Sequence, residues 1–422
     1  MKKLFVILLA FAMLLGFAGC KPEEPKVEKQ TVVIWHTYTE DQTATLERIA
    51  ADFNALHEGE IEVVVQAQEY SGFLNKVYES VANGVGPDII FNYASTAAAY
   101  VGATEEETLV VDFDKYLSQD FSKLVAPGIY AEMTDFKDGK LHVLPMVTTG
   151  PIFIYNEKLF EQYGVEVPTT WKEVFIVSKT IWEKSNHTVV GFAVDSLTDF
   201  FTTLIMQHGL GYYNEDKTSV LFCDGEKMGF LLEQFKIAVQ EGYFQLAPQS
   251  GDYNSSDMNA LTLASYVGSS AGLPYLSYDG IAATSLPREM DEGMGVMDWA
   301  PAWNRGVIVF KSNEAKEAAA VKFAEFFLNE ENNAAWAKTM SAFSPYFATQ
   351  QNADYQATVA GNLALTALAG QINYAGVLPN TNGAAAIRTA LEELIKTTAA
   401  GTVSIEEGLA ICKAACEAAL SE

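Results

Sequence analysis

Arginine is nearly missing from this chain. Arg48, Arg288, Arg305 and Arg388 are all there is among 27 basic side chains, set against 54 acidic ones for a formal net charge of −27. A field of that sign repels phosphates, so nucleic acid is excluded as a partner and an anionic bilayer is not held by charge. In so arginine-poor a chain, a guanidinium that faces a cleft becomes a candidate recognition group. Cysteine is just as sparse, at Cys20, Cys223, Cys412 and Cys416, and without a CxxC spacing a zinc ribbon has no support. The histidines His36, His57, His142, His187 and His208 are scattered, and no HExxH pair occurs, so a metal hydrolase has none either. After the first twenty residues, no apolar run reaches bilayer-spanning length without charge. The pattern calls for no metal and no cofactor.

What the chain does have begins at its first residues. Met1-Lys2-Lys3 precedes an apolar stretch from Leu4 to Ala18, then Gly19-Cys20. A basic start, a short apolar core and small residues before the cut make residues 1–19 a secretory signal. The run is about 15 residues, short of the roughly 20 that cross a bilayer. The placement of Cys20 resembles a bacterial lipobox, with Phe17 where a leucine is usual. This implies lipidation at Cys20 and a membrane-anchored, extracytoplasmic protein. An ordinary secretory signal with a chance cysteine is the alternative. Residues 20–30 are polar, with two prolines, and read as a flexible tether. The remaining chain is too long for one core, so two domains are expected. Cys412 and Cys416 fall on one face of a helix, where small core residues are the plain reading and a disulfide or metal role the alternative.

Strand-like and helix-like segments then alternate. Thr31–Thr37 is a β-branched run. Thr39 with Gln42 resembles a capping box, followed by Leu46, Ile49, Phe53 and Leu56 at helical spacing. Ile61–Val65, a helix marked by Phe73, Val77 and Val81, and the strand Ile89–Tyr93 complete a β-α-β-α-β order. That order predicts a parallel sheet with ligands beyond the carboxyl ends of its strands, at residues 36–40, 66–72 and 92–96. Two extended halves follow around Thr148–Pro151, then helices at Glu157–Tyr163 and Trp171–Lys184, a strand at Val189–Val194 and a helix at Thr198–His208. The last part reads as a strand at Val307–Phe310 and helices at 314–328, 331–340, 384–396 and 405–419.

Four stretches together resemble the extracellular solute-binding proteins of bacterial ABC importers, in the branch that binds carbohydrates and glycerol 3-phosphate. They are VVIWHTYTE with the helix ending FNALHEGEIEV, GVGPDIIF, LPMVTTGPIFIYNEKLFEQYGVEVPTTWKEV, and the strand with two helices from GVIVFKSNEAKEAAAVKFAEFFLNEENNAAWAKTMSAFSPYF. The resemblance implies a two-lobed α/β fold with an interlobe cleft. It places the first lobe at 31–147 plus 303–347 and the second at 152–300 plus 350–422. The crossings then fall near 148–151, 300–304 and 343–347. It implies a monomer that captures a carbohydrate by lobe closure and passes it to a membrane permease, with no bond made or broken.

A sugar site needs converging polar groups and an apolar plate for the ring. Trp303 is the plate the resemblance favours. Trp299 either joins it or packs between lobes. Trp303-Asn304 replaces a glycine pair of the glycerol-phosphate branch, and Ala94 replaces its glutamate beside Ser95; both departures count against a glycerol phosphate, and the first favours a ring-bearing ligand. Arg388 either faces the cleft, as the resemblance implies, or pairs with Glu392 on the surface. Tyr38, Glu40, Phe73, Thr148, Thr149, Ser269 and Phe343 complete the candidate set, with helix capping the alternative for Glu40. Asp195 and Ser196 are further candidates. One motif points elsewhere: Gly268-Ser269-Ser270-Ala271-Gly272 matches the nucleophile elbow of α/β-hydrolases. That fold needs a histidine after its serine, and none follows Ser270, so a ligand-contacting loop is the better reading.

Overall fold

The computed structural model describes residues 29–249, 253–288, 297–378, 381 and 383–421. The expected signal, Cys20 and tether residues 20–28 lie outside the described residues.

The first five-stranded sheet has the order β2-β1-β3-β11-β4. Its strands are β1 (Gln30–His36), β2 (Ile61–Ala67), β3 (Ile89–Tyr93), β4 (Leu144–Thr149) and β11 (Trp303–Val309). Period-two alternation buries Val32, Ile34 and His36 on one face of β1. The helices Glu40–Leu56 and Glu314–Phe327 pack their apolar stripes onto this sheet through Leu46, Phe53, Phe323 and Phe327. Gln42 accepts the Thr39 amide at 3.2 Å at the start of the first helix. As the β-α-β-α-β order predicts, β1 is parallel to both β2 and β3. The sheet as a whole is mixed, because β11 runs antiparallel to β3 and β4. The reason is directional: β1 and β3 end at the edge facing the other lobe, whereas β11 enters from that side.

The second sheet has the order β7-β6-β8-β5-β9. It comprises β5 (Pro151–Asn156), β6 (Phe192–Val194), β7 (Phe244–Gln245), β8 (Ser265–Ser269) and β9 (Ile281–Thr284). Alternation along β5 sends Ile152 and Ile154 into one apolar cluster and Phe153 into another, so both faces are buried. The strand expected over 189–194 is shortened to β6. At Gly191 a Cβ would lie 2.2 Å from the Ser178 Cα, so the backbone passes hard against the helix Trp171–Lys184. Cys412 and Cys416 are buried on the helix Ile405–Leu420 with their sulfurs 3.9 Å apart, and both thiols are free.

Three segments run side by side where the sheets meet. The chain passes from β4 to β5 through Gly150. It returns through β10 (Ala300–Pro301), which pairs with β12 (Ala375–Gly376), into β11. Phe343 bridges Thr148, with backbone hydrogen bonds of 2.7 and 2.8 Å. Asn333, fully buried, stitches this region. Its Nδ2 donates to the Met146 carbonyl at 2.7 Å and its Oδ1 accepts the Ser344 hydroxyl. Asn333→Ala orphans both groups, and a loss of about 2 kcal/mol is expected in urea unfolding.

Candidate functional site

Two cavities meet at Tyr93, the last residue of β3. The first, about 570 Å³, lies beyond the carboxyl ends of β1, β2 and β3, where the strand order places ligands. Tyr38, Tyr70, Phe73 and Arg305 line it. The second, about 510 Å³, lies between the lobes. Ser95 and Glu132 reach it from the first lobe, Asp199, Tyr213 and Arg388 from the second, and Trp299 and Trp303 from the crossing.

Local structure sets these positions. Trp303 opens β11 opposite Thr149, and strand alternation turns Trp303 and Arg305 to one side and Asn304 to the other. Asn304 is fully buried, accepting the Thr148 hydroxyl at 2.6 Å and donating to a Glu132 carboxylate oxygen at 2.6 Å. Trp299 packs over Gly376, where a Cβ would come within 2.0 Å of the indole nitrogen. The Arg305 guanidinium stands 5.1 Å from the Tyr93 ring centre. Its Nη2 donates to the Tyr93 hydroxyl at 3.4 Å. Burial pushes the pKa of the Tyr38 phenol well above its ordinary value, and nearby Arg305 pulls the other way. Arg388 donates to Asp199 at 2.6 Å, across two helices rather than along its own.

The eleven ligand candidates read from the sequence separate accordingly. Tyr38 and Phe73 line the first cavity; Ser95, Trp303 and Arg388 line the second. Thr148 and Asn304 form the polar layer behind it, with Thr149 half-buried beside Trp303. Glu40 sits exposed in the first turn of its helix and lines neither cavity. Phe343 is buried in the apolar cluster that holds Ile152 and Leu365 and lines neither cavity. Ser269 lines neither cavity, and its hydroxyl accepts the Ala271 amide at 3.2 Å. Asp195 and Ser196 line a further cavity of about 500 Å³ that shares Arg388.

Sequence reasoning missed Glu132 and Arg305 as cleft residues; Tyr93 falls in the strand-end segment 92–96 expected to face ligand but was not among the individual candidates. Glu132 is the last residue but one of a seven-residue helix, Pro127–Met133, too short to show periodicity. Burial pushes its carboxyl up to about 7, partly offset by the Asn304 hydrogen bond. For Arg305 the scarcity of arginine was the available signal.

The nucleophile-elbow motif has the wrong geometry. After β8 comes a 3₁₀ turn, Ser270–Tyr275, containing Pro274. Ser270 is fully buried, its amide donating to the Gly150 carbonyl at 2.9 Å and its hydroxyl oxygen 3.4 Å from the Gly150 amide. No cluster of three metal-ligating side chains occurs among the described residues.

The model for the bacterial extracellular solute-binding protein family matches residues 36–334. The chain belongs to this family. Among curated proteins it is similar to the melibiose/raffinose/stachyose-binding protein MelE of Bacillus subtilis (strain 168). Identity is 24% over 228 residues, covering 53% of this chain and 49% of that protein, so the match spans about half of the relative. Among solved structures it resembles the cyclic alpha-maltosyl-1,6-maltose binding protein from Arthrobacter globiformis. The TM-score is 0.79 at 18% identity, over 93% of this chain and 99% of that one. The sugar-binding protein MalE from Xanthomonas citri gives a TM-score of 0.78 at 16% identity, over 93% and 97%. At those identities the likeness establishes the two-lobed fold with its interlobe cleft.

Proposed function

We propose that this family member captures a carbohydrate between its lobes and delivers it to the membrane subunits of an ABC importer. The observation that carries the reading is the second cavity, where Trp299 and Trp303 stand together among polar groups drawn from both lobes. Indole faces suit the C–H face of a pyranose, and the surrounding hydroxyl, carboxylate and guanidinium groups suit its hydroxyls. The sugars in the names of the similar proteins support the same class. We place the hinge in the adjoining segments around Gly150, Ala302 and Phe343, with lobe divisions as read from the sequence. Closure about it follows from a ligand that touches both lobes and so favours the closed form. Anchoring through a lipid on Cys20, and action as a monomer, belong to the same proposal.

A glycerol phosphate is the poorer ligand. Arg388, the guanidinium for a phosphate, is already committed to Asp199. Thermal unfolding of the protein with mono- and oligosaccharides, polyols and glycerophosphates tests the choice. A sugar at about a hundred times its dissociation constant should stabilise by about 2.7 kcal/mol, a rise of several degrees. A response to phosphates alone would reverse the assignment. Arg388→Ala strips Asp199 of its partner beside the ligand and should weaken sugar binding about tenfold by calorimetry.

A further inference from the structure

The interlobe cavity holds a carboxylate that hinge geometry alone does not require. Glu132 projects into it from the end of the helix Pro127–Met133, beside Trp303. Among the described residues its hydrogen-bond donor is the neutral amide of Asn304, at 2.6 Å. The charged groups that face it are few. Asp199 and Arg388 share the cavity but are joined to each other at 2.6 Å. Asp135, three residues along the chain, repels Glu132 and itself contacts Lys217 of the other lobe at 3.2 Å. Arg305 is turned to Tyr93, in the adjoining cavity. Tyr93, Tyr212 and Tyr213 are the remaining titratable groups on the wall.

With Glu132 ionised, the two carboxylates outweigh the one guanidinium, so the cavity carries a net negative charge. An acceptor withdrawn from water and short of donors is stabilised by a ligand that brings them. An anionic ligand placed there meets repulsion at low dielectric.

We infer that Glu132 sets the charge class of the ligand: its carboxylate takes hydroxyl or ammonium donors of an uncharged or basic sugar, and the cleft turns away sugar phosphates and sugar acids. This rests on the carbohydrate reading above. It has a consequence that a merely structural glutamate lacks. Ligand donors favour the ionised form, so the carboxyl of the complex titrates lower than that of the free protein. Binding therefore releases protons near neutrality and strengthens as pH rises.

Isothermal titration of the purified protein tests this. Melibiose, raffinose and maltotriose serve as neutral probes, and glycerol 3-phosphate and glucose 6-phosphate as anionic ones, each in two buffers of different ionisation enthalpy. The expected result is binding of a neutral probe with net proton release at pH 7 and severalfold higher affinity at pH 8 than at pH 6. Glu132→Gln, with its unfolding checked in parallel, should bind that probe about tenfold more weakly, with no proton release and no pH slope. Neutral binding with no proton release, or with proton uptake, removes this role from Glu132 and leaves the carbohydrate reading standing. Tighter binding of a phosphate than of any neutral probe overturns both. If no probe gives heat, the carbohydrate reading falls and the inference with it.

Discussion

Removing both tryptophans of the interlobe cavity, as Trp299→Ala with Trp303→Ala, is expected to lower sugar affinity at least about 100-fold. Covering the C–H face of a ring against an indole removes apolar surface from water, worth about 25 cal/mol per Å² with a further aromatic contribution of about 0.5–1.5 kcal/mol. About 1.5 kcal/mol from each plate gives about 3 kcal/mol for the pair, which is the stated loss. The two single variants should differ in stability. Trp303 is half-buried on the cleft face of β11, so its truncation should leave the unfolding midpoint almost unchanged. The Trp299 indole is seated on the backbone at Gly376, and its own main-chain carbonyl accepts from Gln207 at 2.9 Å, so losing the ring removes packing from the crossing and should lower the unfolding midpoint. Calorimetric titration with the sugar found by the thermal screen measures this. Undiminished affinity in Trp303→Ala would move the ligand out of this cavity.

Glu132→Gln is expected to stabilise the protein at alkaline pH. Burial raises this carboxyl from 4.5 to about 7 in the folded chain. The sign follows from linkage. Below about 4.5 the group is protonated in both states and costs nothing as a charge. As pH rises toward 7, the unfolded chain ionises first, and stability falls until the folded group ionises too. Above that range the loss is constant and at most about 3–4 kcal/mol, since a tenfold change in proton affinity is worth about 1.4 kcal/mol. The glutamine variant keeps the Asn304 contact and lacks the titration. Chemical denaturation at pH 5 and pH 8 should show wild type losing stability across that interval relative to Glu132→Gln. Parallel curves would mean that the carboxylate is better solvated than its position implies. A stabilised variant that binds sugar weakly is the pattern expected where a charged group is kept for recognition rather than for folding.

Much of the fold was legible because it rests on local patterns. The strand Ile89–Tyr93 and the helices Glu157–Tyr163 and Trp171–Lys184 have the bounds that apolar periodicity and capping residues predict. Thr170 illustrates the cause: its hydroxyl accepts the Glu173 amide at 3.1 Å while Glu173 reaches back to the Thr170 amide, a start signal carried within four residues. The helix Pro127–Met133 carried no such repeat, and the direction of β11 depended on which lobe the chain was returning from.

The site was less legible, for a related reason. Trp303 and Arg388 stand in the cavity where the resemblance implied, yet Arg388 meets Asp199, 189 positions away in the chain. Arg305 acquires its role from Tyr93, which lies beside it only because β11 inserts next to β3.

The sequence by itself determined the locally encoded properties of this protein: an acidic α/β chain, its main strands and helices, and its likeness to solute-binding proteins. Each follows from composition, spacing or capping within a few residues. Tertiary structure alone decided that Glu132, Asn304 and Thr148 form one polar layer, that Arg388 is already paired, and that two tryptophans face one cavity. The physical reason is that a cleft is made by contacts between segments far apart in the chain, and burial and charge pairing exist only once those segments meet.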